Sequence, residues 1–269
     1  MLTAEYFHNK SKEMKIIAVI PAHMASVRFP NKILHPFFDL PMIEHVRRRV
    51  LLSNSIEDVF VATCDDEIAS AINSFGGKII RTSNSHTNGT SRVAEAINDI
   101  DCSHVILVQG DEPLLLPRHL DKLAESMAID NGAMCWNATG PIESEDELDK
   151  HSFVKCAISQ TERILYCFRR SPAYSQFELQ RNYVRKILGL IAFRKDFLLA
   201  LTNLTSSRIE SSEFIEQMRI IENGYLLNSV SVSPSLPSVN EPNEVQVIYD
   251  YIKNNKEQTD LLNRILDTR

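Results

Sequence analysis

No apolar run in this sequence approaches the roughly 20 residues needed to cross a bilayer, and the first 13 residues, MLTAEYFHNKSKE, contain no long apolar h-region. We therefore expect a cytoplasmic protein without membrane insertion, with a flexible N-terminal extension over residues 1–13. The five cysteines, Cys64, Cys102, Cys135, Cys156 and Cys167, are odd in number, scattered, and never spaced C-x-x-C. That pattern argues against a disulfide framework and against a cysteine zinc site, and fits a reducing compartment. Glycine and proline are sparse, 8 and 11 in 269 residues, which excludes a collagen-like chain and argues against Pro/Gly-rich disorder. Basic residues are not in excess: 29 Lys and Arg against 35 Asp and Glu leave a net charge of −6. Without a broad positive field, nucleic acid and anionic membrane surfaces are disfavoured as main partners. There is also no G-x-x-x-x-G-K, which disfavours a P-loop ATPase or kinase.

What is present is a globular balance, 43% hydrophobic against 24% charged, in a chain long enough for one domain or a main domain with a smaller subregion. The apolar run Ile16 to Ile20 ends at Pro21 and reads as a buried strand. A basic loop follows, then a helix over Pro41 to Leu52, with Ile43, Val46 and Val50 at helical spacing. Asp58 to Thr63 reads as a second strand, leading into a helix that runs to Phe75 and is closed by Gly76 and Gly77. The order repeats with a strand at Lys78 to Arg81, a helix at Thr90 to Asn98 and a strand at Val105 to Val108. Such alternation implies an α/β fold, a mostly parallel central sheet flanked by helices, with its ligand crevice beyond the carboxyl ends of the strands. The second half is less regular. Strands are expected at Gly132 to Thr139, Phe153 to Ile158 and Ile164 to Phe168, an exposed acidic turn at Glu143 to Asp149, and helices at Ser212 to Asn223 and Glu244 to Asn254. We expect the main domain over residues 14–250, then a helical or flexible tail over residues 251–269.

Three segments at expected strand ends carry candidate chemistry. In PAHMASVRFPNK, Arg28 and Lys32 can converge on a polyphosphate, or be two solvated surface cations. In VILVQGDEP, a buried strand delivers Asp111 and Glu112 as hard oxygen ligands suited to Mg²⁺, or simply ends in an exposed turn; Asp111 is the stronger ligand candidate. In HTNGTSR, Gly89 permits close backbone approach, Thr90 can cap the following helix, and Arg92 is either a ligand contact or a solvated helix residue.

Together, in this order and spacing, the three segments resemble the CMP-3-deoxy-manno-octulosonate (CMP-KDO) synthetase family, whose pattern runs P-A-R, S-x-R-L-P-x-K, S-G-T-x-R and V-Q-G-D-E-P. LYCFRRSP and IESSEFIEQMR resemble further family segments, and the likeness covers residues 14 to about 250. The resemblance implies a nucleotide-diphospho-sugar-transferase-like fold with a smaller mixed subregion for dimerisation and acceptor binding. It also implies a homodimer, and Mg²⁺-dependent transfer of CMP from CTP to an acid sugar with release of pyrophosphate. On that basis Arg28 and Lys32 hold the CTP phosphates, and Asp111 and Asn240 the metal. Ala22, His23, Ser26, Asn88, Gly89, Thr90, Arg92 and Gln109 line the nucleotide site. Arg169, Ile187, Ile191, Glu210 and Gln217 face the acceptor.

The chain departs from the family pattern at specific places. His23 stands where P-A-R has arginine, Asn88 where the family has serine before Gly-Thr, and Asn240 in place of the aspartate of a C-terminal V-D-T. Ile187 and Ile191 replace the histidine and tyrosine of H-L-G-I-Y, leaving fewer groups to bond sugar hydroxyls. These changes lead us to expect a KDO-like acceptor other than unmodified KDO. Another nucleotidyltransferase with a different base or acceptor, and a non-catalytic nucleotide-binding relative, remain as alternatives.

Overall fold

The structure is a computed structural model that describes residues 14–26, 28–130 and 132–267. The extension expected over residues 1–13 lies outside the described residues. Strand β1 (Ile16–Ala22) is buried along its whole length. It leads through a 3₁₀ turn at Lys32–Leu34 and a small hairpin, β2 (Pro36–Phe37) with β3 (Leu40–Pro41), into helix α1 (Met42–Val50). Asn31 takes the left-handed conformation, φ 58°, that lets the basic loop turn back into the 3₁₀ segment. There follow β4 (Asp58–Thr63), α2 (Asp66–Ser74), β5 (Lys78–Arg81), α3 (Gly89–Ile97) and β6 (His104–Val108), the order that the periodicity predicts.

The second half contains α4 (Pro117–Ile129), β7 (Cys135–Pro141), α5 (Asp146–Asp149), β8 (Lys155–Ile158), β9 (Ile164–Phe168) and α6 (Phe177–Gln180). After these come β10 (Val184–Arg194), α7 (Lys195–Leu201), α8 (Arg208–Glu213), α9 (Gln217–Glu222), β11 (Asn228–Ser231), α10 (Glu244–Asn254) and α11 (Lys256–Asp267). Two expectations change here. The single helix over Ser212 to Asn223 is two short helices, because a Ser207/Glu210 capping box starts α8 earlier and Phe214, at φ 55°, ends it in the left-handed conformation. The acidic stretch at Glu143 to Asp149 is partly helical, buries Leu148, and places Glu147 on Lys186 at 2.5 Å.

Nine strands join in one sheet, ordered β11-β7-β10-β6-β1-β4-β5, with β8 paired to β10 and β9 to β8. The β6-β1-β4-β5 block is parallel, and β11 is parallel to β7; β10 runs antiparallel to β6, β7 and β8. Alternate side chains of β1 sort to opposite faces. Ile16, Ala18 and Ile20 pack with α1, α2, α4, α10 and α11, whereas Ile17 and Val19 pack with α3, α7 and α9. Helix α11 is integral to this packing: Ile265 is buried, its carbonyl accepts from Arg48, and Gln258 donates to the Leu114 carbonyl at 2.8 Å. No helix among the described residues is long and apolar enough to cross a membrane.

Two buried histidines set an acid limit on stability. Burial is the main cause that pushes both His45 and His119 down to about 4, with nearby arginines adding to it. Since an unfolded chain protonates histidine near 6.5, the stabilisation is complete above that pH and is lost as pH falls towards about 4. Melting temperature should therefore fall through this window, and His119→Gln should make the fall shallower. An identical slope in that variant would refute the assignment for His119.

Candidate active site

Strand order reverses about β1: the chain moves outward through β4 and β5, then returns to place β6 on the other side of β1. The carboxyl ends of β1 and β6 therefore flank the switch point, where open α/β sheets bind ligands. Here a cleft of 580 Å³ opens between the loop after β1, the N-terminus of α3 and the loop after β6.

Its basic wall is built by the 23–32 loop. Asp65 anchors it by accepting the Met24 N–H at 2.8 Å, and Lys32 reaches across so that its Nζ lies 2.6 Å from Asp111 Oδ2. Arg28 is exposed on the same lining. His23 Nδ1 accepts the Ala25 N–H at 3.1 Å, so while that bond holds the imidazole carries its proton on Nε2 and offers one donor. Ala22, Ser26 and Gln109 complete this side.

Helix α3 forms the second wall. Its cap is Asn88, whose side chain accepts the Ser91 N–H at 2.8 Å, and not Thr90, whose hydroxyl instead donates to the half-buried Glu216. A Cβ at Gly89 would come within 3.1 Å of Pro21 Cγ, so the missing side chain is what lets α3 start against the end of β1. Arg92 is buried rather than solvated. It donates to the Thr82 hydroxyl at 2.6 Å and the Ser83 carbonyl at 3.2 Å, with part of its side chain on the cleft.

At the third wall, Asp111 is about a quarter exposed and faces Lys32. Its carbonyl accepts the Val239 N–H at 3.0 Å, which sets Asn240 beside the same strand end. Asn240 donates its amide N–H to Ser238 Oγ at 3.1 Å, leaving its side-chain oxygen as an acceptor. The neighbouring Glu112 is pushed up to about 8, first by burial and then by the Asp111 charge. It packs against Gly189 of β10, where a Cβ would lie 2.7 Å from Glu112 Oε1 and 2.9 Å from Gln109 Cβ and Cγ. Gly189→Ala should therefore push the Gln-Gly-Asp-Glu loop out of place, at a cost of about 1–3 kcal/mol in stability together with a loss of turnover. A melting curve and kcat/KM matching the unsubstituted protein would refute this close approach.

A smaller cavity of 20 Å³ lies beside the cleft and shares Asn88 with it. Ile191, Glu210 and Gln217 line it, as do Thr90, Glu216 and Phe193. Three of the five expected acceptor residues thus meet here. The other two are placed differently. Arg169 donates to the backbone carbonyls of His151 at 3.1 Å, Glu213 at 3.1 Å and Phe214 at 3.3 Å, tying the hairpin end to the α8–α9 turn. Ile187 is half-buried against the α3 side of the core and lines neither cavity. Glu210 is occupied by Arg219, with contacts of 2.8 and 2.7 Å. His86, at the head of the HTNGTSR segment, also borders the cleft, as do Cys64, Asp65 and Asn84, which nothing in the sequence marked as site residues.

A family profile described as Cytidylyltransferase matches residues 17–231. The 3-deoxy-manno-octulosonate cytidylyltransferase of Geobacter metallireducens is 33% identical over 248 residues, covering 88% of this chain and 97% of that protein. The enzyme of the same name from Thermodesulfovibrio yellowstonii is 37% identical over 225 residues, covering 78% and 88%. The chain belongs to the CMP-KDO synthetase family of cytidylyltransferases. Among solved structures, a CMP:2-keto-3-deoxy-manno-octonic acid synthetase complexed with CTP matches with a TM-score of 0.83 and 31% identity, covering 89% of this chain and 98% of that one. An inositol-1-phosphate CTP transferase from T. maritima, at 15% identity and a TM-score of 0.64, shares the cytidylyltransferase fold.

Proposed function

We propose that the protein transfers CMP from CTP to the anomeric hydroxyl of a KDO-like acid sugar and releases pyrophosphate. The observation that carries this is the meeting of Lys32 and Asp111, 2.6 Å apart at the switch-point cleft, in a chain that superposes on a synthetase complexed with CTP. Attack of a sugar hydroxyl on the α-phosphorus needs no protein nucleophile; positioning and charge stabilisation are the main requirements. Lys32 and Arg28 supply fixed positive charge along the triphosphate, and the Nε2–H of His23 supplies one neutral donor where the family has an arginine. Gln109 and the start of α3 border the same space and hold the nucleotide.

By donor type, Asp111 just beyond β6 and Asn240, next to the Val239 that bonds the Asp111 carbonyl, fit Mg²⁺. Asp111 offers a carboxylate and Asn240 an amide oxygen, and a cation of this kind takes its remaining ligands from phosphate and water. When bound there, it supplies charge neutralisation on the phosphate oxygens.

On the acceptor side, Ile191, Glu210 and Gln217 form the near wall, and Ile191 gives a sugar hydroxyl no partner. This favours an acceptor other than unmodified KDO. Arg169 can meet a carboxylate only with the N–H groups left over from its three backbone contacts. We also propose a homodimer through the second half of the chain, supported by the exposed Leu165 and Tyr166 on β9. A light-scattering mass of one chain at all concentrations would oppose it.

The deciding experiment measures Mg²⁺-dependent pyrophosphate release across nucleoside triphosphates and across KDO with its deoxy, amino and other substituted analogues. Turnover confined to CTP and an acid sugar is expected. CTP binding without turnover on any acceptor would favour a nucleotide-binding role, and KDO as the best acceptor would oppose the altered-acceptor reading.

A further inference from the structure

Strand β10 does not run smoothly along β7. Ile187 pairs with Thr139 and Ile191 with Asn137, so four steps along β10 match two along β7 and the residues between bulge out of the ladder. Such a bulge takes carbonyls away from their ladder partners, and buried carbonyls need replacements. Asn137, fully buried on β7, provides them: its Nδ2 lies 3.0 Å from the Leu188 carbonyl and 3.3 Å from that of Leu190, and 2.8 Å from that of Ala138. Between those two residues sits Gly189, whose carbonyl accepts the Gln109 N–H at 2.9 Å.

Hydrogen-bond chemistry then fixes the direction of the network. An atom surrounded by three carbonyl oxygens must be the amide nitrogen, so Asn137 Oδ1 points the other way and is an acceptor. It meets Gln217 at 3.0 Å. The end of Gln217 facing Asn137 must accordingly be its NH₂ group, which leaves Oε1 for the cavity that Gln217 shares with Ile191 and Glu216.

We propose that Asn137 is a positioning residue that sets the polarity of the acceptor side: it orients Gln217 so that a carbonyl oxygen, not an amide donor, meets the sugar, and it holds the β10 bulge against the nucleotide loop. The acceptor group recognised at Gln217 is therefore a hydrogen-bond donor, a hydroxyl or an amine. This rests on the reading of that cavity as the acceptor side.

Two measurements separate the proposal from that reading. The first needs no turnover: in the side-chain amide NMR spectrum, the Gln217 NH₂ should exchange slowly with solvent, and Asn137→Ala should remove that protection. Rapid exchange in the unsubstituted protein, or protection unchanged in the variant, overturns the proposal whatever the substrate. The second uses kinetics with the best acceptor. Gln217→Glu, on a half-buried helix residue, puts a carboxylate where Asn137 Oδ1 needs a donor. It should raise the acceptor KM roughly tenfold while the CTP KM stays within about twofold. Gln217→Ala and Asn137→Ala should each raise the acceptor KM, and together should cost little more than the larger single effect, because one acts through the other. Fully additive effects, or equal changes in both KM values, overturn the proposal. Failure of every acceptor to turn over, with the amide protection intact, overturns only the functional reading.

Discussion

Asp111→Asn is expected to lower kcat/KM at limiting Mg²⁺ by roughly 100- to 1000-fold, the scale seen when one preorganised electrostatic group is removed from a reaction centre. Asparagine keeps the size of the side chain but removes the negative charge, and Asn240 cannot supply it, being itself an amide. The fold should survive, because the backbone contact from Val239 to the Asp111 carbonyl does not involve the side chain. What also changes is Lys32, which loses its 2.6 Å partner and gains freedom to meet phosphate. CTP binding should thus weaken far less than turnover, or strengthen slightly in the absence of metal. A folded variant that turns over normally when Mg²⁺ is scarce would remove Asp111 from the metal site.

Glu44→Ala should have the largest effect on stability, about 3–5 kcal/mol, the usual result of breaking a buried ion network from one side. All nine residues of α1 are buried, three consecutive arginines included. Glu44, with no exposed surface, accepts from Arg47 Nε at 2.7 Å and Nη2 at 2.6 Å and from Arg48 Nε at 2.6 Å. Removing it takes the Glu44 carboxylate away from two guanidinium groups packed beneath α2 and α11. Arg48 also donates to the Ile265 carbonyl of α11 and lies over the Phe75 ring, so the loosening should reach the C-terminal helix. Urea unfolding and hydrogen exchange over residues 256–267 would measure both effects. A midpoint within experimental error of the unsubstituted protein would show that Arg47 and Arg48 are solvated in solution.

The parts of the fold that were legible in the sequence are those whose pattern is local. Each strand of the β1, β4, β5, β6 block is a short apolar or alternating run ended by a turn residue, and each helix between them has apolar residues at helical spacing. Parallel strands with helical crossovers leave few topologies, and the ligand side of such a sheet is the carboxyl side. Hence PAHMASVRFPNK, HTNGTSR and LVQGDEP are assignable to one cleft from the sequence, and residues of all three line it. Their order and spacing also pointed to the family.

Other features had no local signature. VRKILGLIAFR mixes charged and apolar residues without clean alternation, because β10 is bulged and packs beside β6, β7 and β8 at once. Arg169 matches a family motif, yet where its guanidinium goes depends on the turn between α8 and α9, more than 40 residues away. The charged run in IEHVRRRV looks like a solvated face; it is buried because distant segments close over it, with Arg47 reaching the Phe75 carbonyl, Arg49 that of Leu115 and Arg48 that of Ile265 in α11, some 200 residues later.

By itself, then, the sequence determined the alternating elements, the strand ends that carry Arg28, Lys32, Gln109 and Asp111, and the family, since each depends on the chemistry of a few neighbouring residues. Tertiary structure alone decided that Lys32 pairs with Asp111, that Gln217 bonds Asn137, and that Arg169 bonds backbone carbonyls. The physical reason is that a polar side chain bonds whatever partner folding brings within about 3 Å. Those partners lie 79, 80 and 44 residues away, a distance over which sequence pattern specifies no contact.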